Sequence, residues 1–459
     1  VETVLLFILG VAVVVVGLAL SIGLHEIGHL VPAKLFGVKV TQYMIGFGPT
    51  LWSKRKGETE YGVKAIPLGG YISMIGMFPP AKAGGASRTA STGFFQTLVQ
   101  EGEPDKKPNA ISTMVDDARQ ASADTIGEGE DHRAFYRLPV WKRIIIMLGG
   151  PTMNLLIAIV LFAILLMGFG TAQASTTVGS VSSCVLPATS TRQACQTGDE
   201  EAPGAAAGLK PGDRLVSIDG TAITSWEQST AVIRKSPGTP LNVVVERDGT
   251  QRTLTITPKL TERYVTDAAG AVQKDASGKS VTEEVGFVGI GPAGELVKQP
   301  VTAVLPAVGQ NIGAVGHMIL NLPQRLIDVA NAAFGPGERD PNGPISVVGV
   351  GRVAGEIASI DTIPVASKVA SLLGLLASLN VALFVFNLVP LMPLDGGHVA
   401  GALWEGIRRF FAKLFKRRDP GPVDTAKLMP VTFAVVIVLG GMSLLLIYAD
   451  IVKPINLFG

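Results

Sequence analysis

Residues 21–37 read SIGLHEIGHLVPAKLFG and place His25, Glu26 and His29 in the order H-E-x-x-H. On a helix, positions i and i+4 share a face, so His25 and His29 point toward one metal ion. The preceding residues, VETVLLFILGVAVVVVGLALSIGL, are almost wholly apolar and long enough to cross a bilayer. A hydrolytic metal site needs water. Its place at the end of a lipid-compatible segment governs how the rest of the chain is read.

The bulk properties agree with a membrane protein. The chain has 459 residues, 17 % of them charged, and a mean hydropathy of +0.40. That excludes an ordinary soluble protein and leaves room for several spans plus a folded domain. A net charge of +2 without an aromatic-interleaved basic patch offers nothing to nucleic acid. Four stretches pass the test of about 20 apolar residues, roughly Thr3–Leu24, Ile144–Phe169, Leu372–Met392 and Val431–Ile447. The first lacks a basic leader and a small-residue cleavage site, so it is expected to be a retained helix.

Lysine and arginine set the orientation. Lys34, Lys39, Lys54, Arg55 and Lys56 follow span one, Arg137, Lys142 and Arg143 precede span two, and RRFFAKLFKRR (Arg408–Arg418) separates spans three and four. Both basic loops are therefore expected on the cytoplasmic side, the latter against anionic lipid, with the central region and both termini extracytoplasmic. Cys184 and Cys195, the only cysteines, both fall on the oxidising side, where they are a candidate disulfide.

The expected organisation is a helix over 1–30, a β region close to the membrane over 31–78, a flexible cytoplasmic insertion over 79–140 and a second helix over 141–170. There follow a small α/β domain over 171–260, an outer linker with an amphipathic helix over 261–365, a third helix over 366–398, a basic loop over 399–428 and a fourth helix over 429–452. The β region is rich in β-branched and aromatic residues, with Tyr61–Ile66 and Gly70–Met74 as hairpin-like segments. In the α/β domain, AGLKPGDRLVSIDG (Ala207–Gly220) gives a turn and a strand, WEQSTAVIRKS a short helix, and LNVVVERDGTQRTLTITP a hairpin with Asp248-Gly249 at its tip. Thr261–Ser280 reads as a loop. The region from roughly Thr176 to Pro258, through its Ala207–Gly220 motif, resembles a bacterial PDZ domain, which implies peptide binding by strand addition; a steric plug that restricts access is the alternative.

Zinc in a hydrolytic site takes three protein ligands and keeps one position open. Pro32 and the strand-like region beyond Gly37 leave no nearby third ligand, and His132 and His317 lie in loop or outer regions. Span three ends in FNLVPLMPLDGGH, residues 386–398, and runs in the same direction as span one, so Asp395 arrives at the depth of the histidine pair. An ionisable group there calls for a partner, and Pro390 and Pro393 break the helix so that the carboxylate turns inward. A helix-capping Asp before Gly-Gly is the alternative reading.

HEIGH (His25–His29), GGPTMN (Gly149–Asn154), the PDZ-like segment and NLVPLMPLDGG (Asn387–Gly397) together resemble the site-2 protease family. The match is to the bacterial regulator-of-sigma branch with one PDZ domain, of actinobacterial type. The resemblance implies a polytopic α-helical membrane protein of about four transmembrane helices, with a membrane-associated β-hairpin region and an extracytoplasmic PDZ-like α/β domain. It further implies an intramembrane zinc endoprotease of the bacterial cell membrane, with the active site near the cytoplasmic side. His25, His29 and Asp395 would ligate Zn2+, with Glu26 as general base. Asn387, Asn154, Asn380, Gly69 and Gly70 would meet an extended substrate, a single-span protein such as a pre-trimmed anti-sigma factor. A non-catalytic PDZ scaffold is the competing expectation. A transporter is disfavoured because no internal repeat is found, and a membrane zinc protease with glutamate as third ligand is the remaining rival.

Overall fold

The computed structural model describes residues 2–79, 110–190, 195–266, 272–273, 275, 279–337, 339–340 and 343–455. In chain order the helices are α1 (Glu2–Leu35), α2 (Ala110–Asp124), α3 (Val140–Ala163), α4 (Pro203–Ala206), α5 (Trp226–Lys235), α6 (Val304–Leu320), α7 (Leu322–Phe334), α8 (Val347–Ser359), α9 (Val365–Asn387), α10 (Asp395–Leu414) and α11 (Met429–Val452). The strands are β1 (Val40–Lys56), β2 (Thr59–Met74), β3 (Thr171–Val181), β4 (Arg214–Ile218), β5 (Thr221–Ala222), β6 (Leu241–Arg247), β7 (Thr250–Ile256), β8 (Lys259–Tyr264), β9 (Thr282–Phe287) and β10 (Ile290–Val297). The chain divides into two compact units, residues 1–168 with 300–459, and residues 169–299.

The first unit is a helical bundle with an apolar exterior. Val4, Leu5, Ile8, Val16 and Leu20 on α1, and Phe433, Ile437, Val438 and Leu444 on α11, are exposed. Such a surface suits lipid rather than water. Five helices among the described residues are long and apolar enough to cross a membrane: Glu2–Leu35, Val140–Phe169, Val301–Leu320, Val365–Asn387 and Thr425–Val452. The one beyond the expected four is Val301–Leu320, which sequence patterning assigns to a surface helix. It packs through Val304, Val308 and Val315 with Ala158 and Phe162 of α3 and Ala377 and Val381 of α9.

Small residues let these helices approach closely. A Cβ on Gly10 of α1 would lie 2.3 Å from Ala354 O of α8, and one on Gly28 of α1 would lie 2.3 Å from Gly149 O of α3. The loop after α7 is tied to the end of α11 by a buried ion pair between Arg339 and Asp450, whose other oxygen accepts from Ser346 N at 2.6 Å.

Strands β1 and β2 are long, bent and bulged. Tyr43, Met44 and Ile45 pair with Ile72, Tyr71 and Gly70 on one side and with Tyr61, Gly62 and Val63 on the other. Gly70–Met74 therefore forms one border of this sheet. Of the polar insertion, residues 80–109 lie outside the described residues, while α2 anchors its end. Gly76 N donates to Thr125 Oγ1 at 3.1 Å, Phe78 N donates to Ser122 Oγ at 2.9 Å, and Arg119 pairs with Asp424.

Two boundaries differ from expectation. The third apolar helix stops at Asn387, and Asp395 opens a separate helix, α10, through residues expected to form a basic loop. Pro390 and Pro393 prevent helical continuation. Glycine at 396 and 397 lets the connection fold back, since a Cβ on Gly396 would lie 2.3 Å from Val389 O. α10 exists because its apolar and charged residues alternate with helical period, which a charge count does not register.

The second unit is a sheet in the order β10-β3-β4-β6-β7, with β5 on β4 and a separate β8–β9 pair. Leu215, Ile218, Leu241, Val243, Val245 and Ile256 form its core. Ser225 Oγ caps α5 by accepting from Gln228 N at 3.3 Å. Asp248 and Gly249 turn the β6–β7 hairpin with φ of 51° and 76°. Asp213 is buried and accepts from Arg247 Nε at 2.6 Å and Lys210 N at 2.8 Å. Cys184 and Cys195 are joined by a disulfide. The stretch 261–280 begins in strand β8 rather than loop; residues 267–271 lie outside the described residues.

Candidate metal centre

Helix α1 runs 34 residues, about 51 Å at 1.5 Å per residue. That exceeds the hydrocarbon core of about 30 Å, so its last third, with His25, Glu26 and His29, lies toward one membrane face. His25 Nε2 and His29 Nε2 are 3.2 Å apart. Asp395 Oδ2 lies 3.4 Å from the first and 3.3 Å from the second. Four ligands at about 2.0–2.1 Å from a tetrahedral zinc stand about 3.3 Å from one another, so the three separations fit a zinc coordination face.

The hydrogen bonds around the cluster leave lone pairs facing inward. His29 Nδ1–H donates to Ile146 O at 2.7 Å, which fixes Nε2 as an acceptor. Asn154 is fully buried, its Nδ2 lies 3.1 Å from His25 Nδ1, and its Oδ1 has no partner among the described residues. A half-turn of that amide lets Oδ1 accept from His25 Nδ1–H, leaving His25 Nε2 as an acceptor too. Asp395 Oδ2 is likewise buried and, beside the two histidine nitrogens, has no hydrogen-bond partner among the described residues. Three acceptors converging without a proton donor are stable only around a cation. Among the described residues this is the one His/Cys/Asp/Glu group with metal-holding geometry.

The GGP segment makes room for this arrangement. A Cβ on Gly150 would lie 2.2 Å from His29 Nε2 and 2.7 Å from His25 Nε2, so only glycine admits both rings. Pro151 sits inside α3, where it lacks the amide that would bond Met147 O. Glu26 is buried beside the pair, within electrostatic reach of His25, His29 and Asp395 and against the Ile72 backbone. A Cβ on Gly70 would lie 3.0 Å from Glu26 Cγ, so β2 can pass this close only as glycine.

The other sequence candidates separate into distinct places. Asn380 is fully buried between helices, donating to Ser21 Oγ at 3.0 Å and Leu376 O at 2.9 Å. Asn387 ends α9 half-buried, and its side chain makes no hydrogen bond among the described residues. Gly69, at φ 126°, lies against the Phe47 ring. His132 bonds Gly129 O, His317 bonds Asn321, and both are away from the cluster. Sequence reasoning missed Gly28, Gly150 and the Ile146 carbonyl. The glycines carried a signal, small residues within apolar helices; the carbonyl carried none.

Two imidazoles and a carboxylate from separate helices, with a glutamate beside them inside an apolar bundle, define a metal-dependent hydrolase built into membrane-type helices. The sequence profile of peptidase family M50 matches residues 13–418. The zinc metalloprotease Rip1 of Mycobacterium tuberculosis is 33 % identical over 458 residues, covering 99 % of this chain and all of that protein. Rip1 of Mycolicibacterium smegmatis is 32 % identical over 466 residues, with the same coverage. The metalloprotease MmpA of Caulobacter vibrioides is 29 % identical over 416 residues, covering 88 % of this chain and 86 % of MmpA. The chain belongs to peptidase family M50, the site-2 protease family, and is a metalloprotease that uses zinc.

Proposed function

We propose that this protein hydrolyses peptide bonds within single-span membrane proteins, using zinc held by His25, His29 and Asp395. The observation that carries the reading is the convergence of those three donors beside a buried Glu26 and the border strand Gly70–Met74. Bound zinc supplies Lewis acidity, which makes water a competent nucleophile near neutral pH. Glu26 takes a proton from the water as its oxygen attacks the scissile carbonyl carbon. The same carboxyl then delivers that proton to the leaving nitrogen as the C–N bond breaks. Ile146 O and Asn154 hold the two imidazoles in the tautomers this requires.

A helical substrate hides its amides, so it must unwind locally before cleavage. Gly70–Met74 pairs with β1 on one side, and its other side can receive an unwound chain as an added strand. The Asn387 amide, half-buried at the end of α9 and without a hydrogen bond among the described residues, would then bond that chain's backbone. Asn154 and Asn380, both fully buried, act instead on His25 and on the α1–α9 contact.

The distribution of lysine and arginine supports a reading in which the His25–His29 end of α1 faces the cytoplasm and the PDZ-like segment the outer side of a bacterial cell membrane. A pre-trimmed anti-sigma factor is the substrate that the resemblance to the regulator-of-sigma branch suggests. The test is cleavage of a co-expressed single-span reporter by wild type, Glu26→Ala and Asp395→Ala, with zinc content measured on each purified protein. Glu26→Ala should keep its metal and lose activity; Asp395→Ala should lose much of both. Cleavage surviving in Glu26→Ala overturns the assignment.

A further inference from the structure

Helix α10 carries an aromatic and aliphatic stripe that nothing among the described residues covers. Leu403, Trp404, Ile407, Phe410, Phe411, Leu414 and, just past the helix end, Phe415 are all exposed. At 3.6 residues per turn they fall on one side, and Ala402 and Glu405, both buried, fall on the other. Arg408 comes at one flank of the stripe and Lys413 at the opposite flank. Beyond the helix end the chain turns at Lys416 with φ 49°, Arg417 N bonding Ala412 O at 2.7 Å, so that Lys416, Arg417 and Arg418 gather at its exposed tip. An apolar furrow of about 290 Å³ runs along this side, lined by Val140 of α3 and by Leu403, Gly406, Ile407, Phe410 and Phe411.

This helix is not one of the five apolar enough to span a membrane. An apolar stripe with cations on both flanks suits a helix lying in the membrane plane, rings in the acyl region and charges snorkelling to headgroups. Trp141 and Lys142, beside Val140, make the neighbouring helix start equally suited to the interface. The opposite face is held to the bundle by a buried ion pair between Glu405 and Arg143 of α3, at 2.5 Å.

We infer that α10 is an in-plane membrane helix that binds anionic phospholipid, an acyl chain lying in the Val140–Phe411 furrow and the phosphate meeting Arg408, Lys413 and the Lys416–Arg418 tip. Charge complementarity selects the occupant: five cations border the stripe, and the nearby carboxylates Glu405 and Asp419 face Arg143 and Arg409. The inference does not depend on the peptidase reading. Because α10 begins at Asp395, however, the lipid would hold the helix that carries a metal donor.

The test uses the full-length protein in nanodiscs with equal amounts of phosphatidylcholine and phosphatidylglycerol, bromine being placed on the acyl chains of one lipid at a time. Trp404 emission is taken as the difference between wild type and Trp404→Phe. Brominated phosphatidylglycerol should quench it about twofold more than brominated phosphatidylcholine, given the attraction of basic residues for anionic headgroups. The preference should vanish when Arg408, Lys413, Lys416, Arg417 and Arg418 are all replaced by Gln. Equal quenching by both lipids in wild type overturns the selectivity. No quenching by either overturns the membrane placement.

Discussion

Gly149 and Gly28 meet backbone to backbone: a Cβ on Gly149 would stand 2.0 Å from the Gly28 carbonyl oxygen. Helices α1 and α3 are therefore in closest contact one residue from His29. Gly149→Ala should push them apart, at a cost of about 1–3 kcal/mol for overpacking a tight site. Purified Gly149→Ala should retain less zinc than wild type and lose proteolysis in proportion. Full zinc occupancy in this variant would show that the contact does not set the ligand geometry.

Asn154 is buried against His25 Nδ1 and is the group that orients that ring. Asn154→Leu should lower metal affinity about 10–100-fold, the usual effect of losing such a partner. Competition with a chromogenic chelator measures this directly. An unchanged affinity accompanied by a raised KM would return Asn154 to contact with the substrate.

If Gly70–Met74 receives the unwound substrate, replacing Tyr71 or Ser73 by Pro should slow cleavage at unchanged zinc content, since proline removes an amide from the strand. Metal analysis beside reporter turnover separates this from collapse of the centre. Wild-type turnover in both variants would sink strand addition.

In the second unit, the Arg247 guanidinium holds the Asp213 carboxyl below its ordinary range. The unfolded pKa is about 3.9 and the folded one is lower. The pair's contribution is therefore complete above that value and is lost as pH falls through the folded pKa. Arg247→Ala leaves Asp213 without its counter-charge and should destabilise this unit. Urea unfolding followed through Trp226, with the other tryptophans replaced by Phe, should show the loss at pH 7 and a smaller one near pH 3. Equal losses at both values would mean that packing, not charge, explains the effect.

The metal centre was legible in the sequence to an unusual degree, for reasons visible in particular residues. His25 and His29 are local, so helical spacing alone aligns them. Asp395 was reachable because parallel spans bring their ends to one depth. The helix carrying Asp395 was not foreseen: Pro390 and Pro393 announce a break, but nothing in them says that a new helix follows. Asn154 and Asn380 look alike in sequence, polar residues in apolar runs, and only packing assigns one to His25 and the other to Ser21. Val301–Leu320, expected as an amphipathic helix, is a helix that is also long and apolar enough to be a candidate span; Gln310, Asn311 and His317 lower its hydropathy without preventing burial of its valine face.

The distance along the chain between His29 and Asp395 also bears on how the molecule is made. His25 and His29 precede Asp395 in the chain and so leave the ribosome well before it. Until then a nascent chain carries two of three donors, and a truncated product carries no more. On the proposed reading, the order of the donors in the chain thus keeps the protease inert during its own insertion.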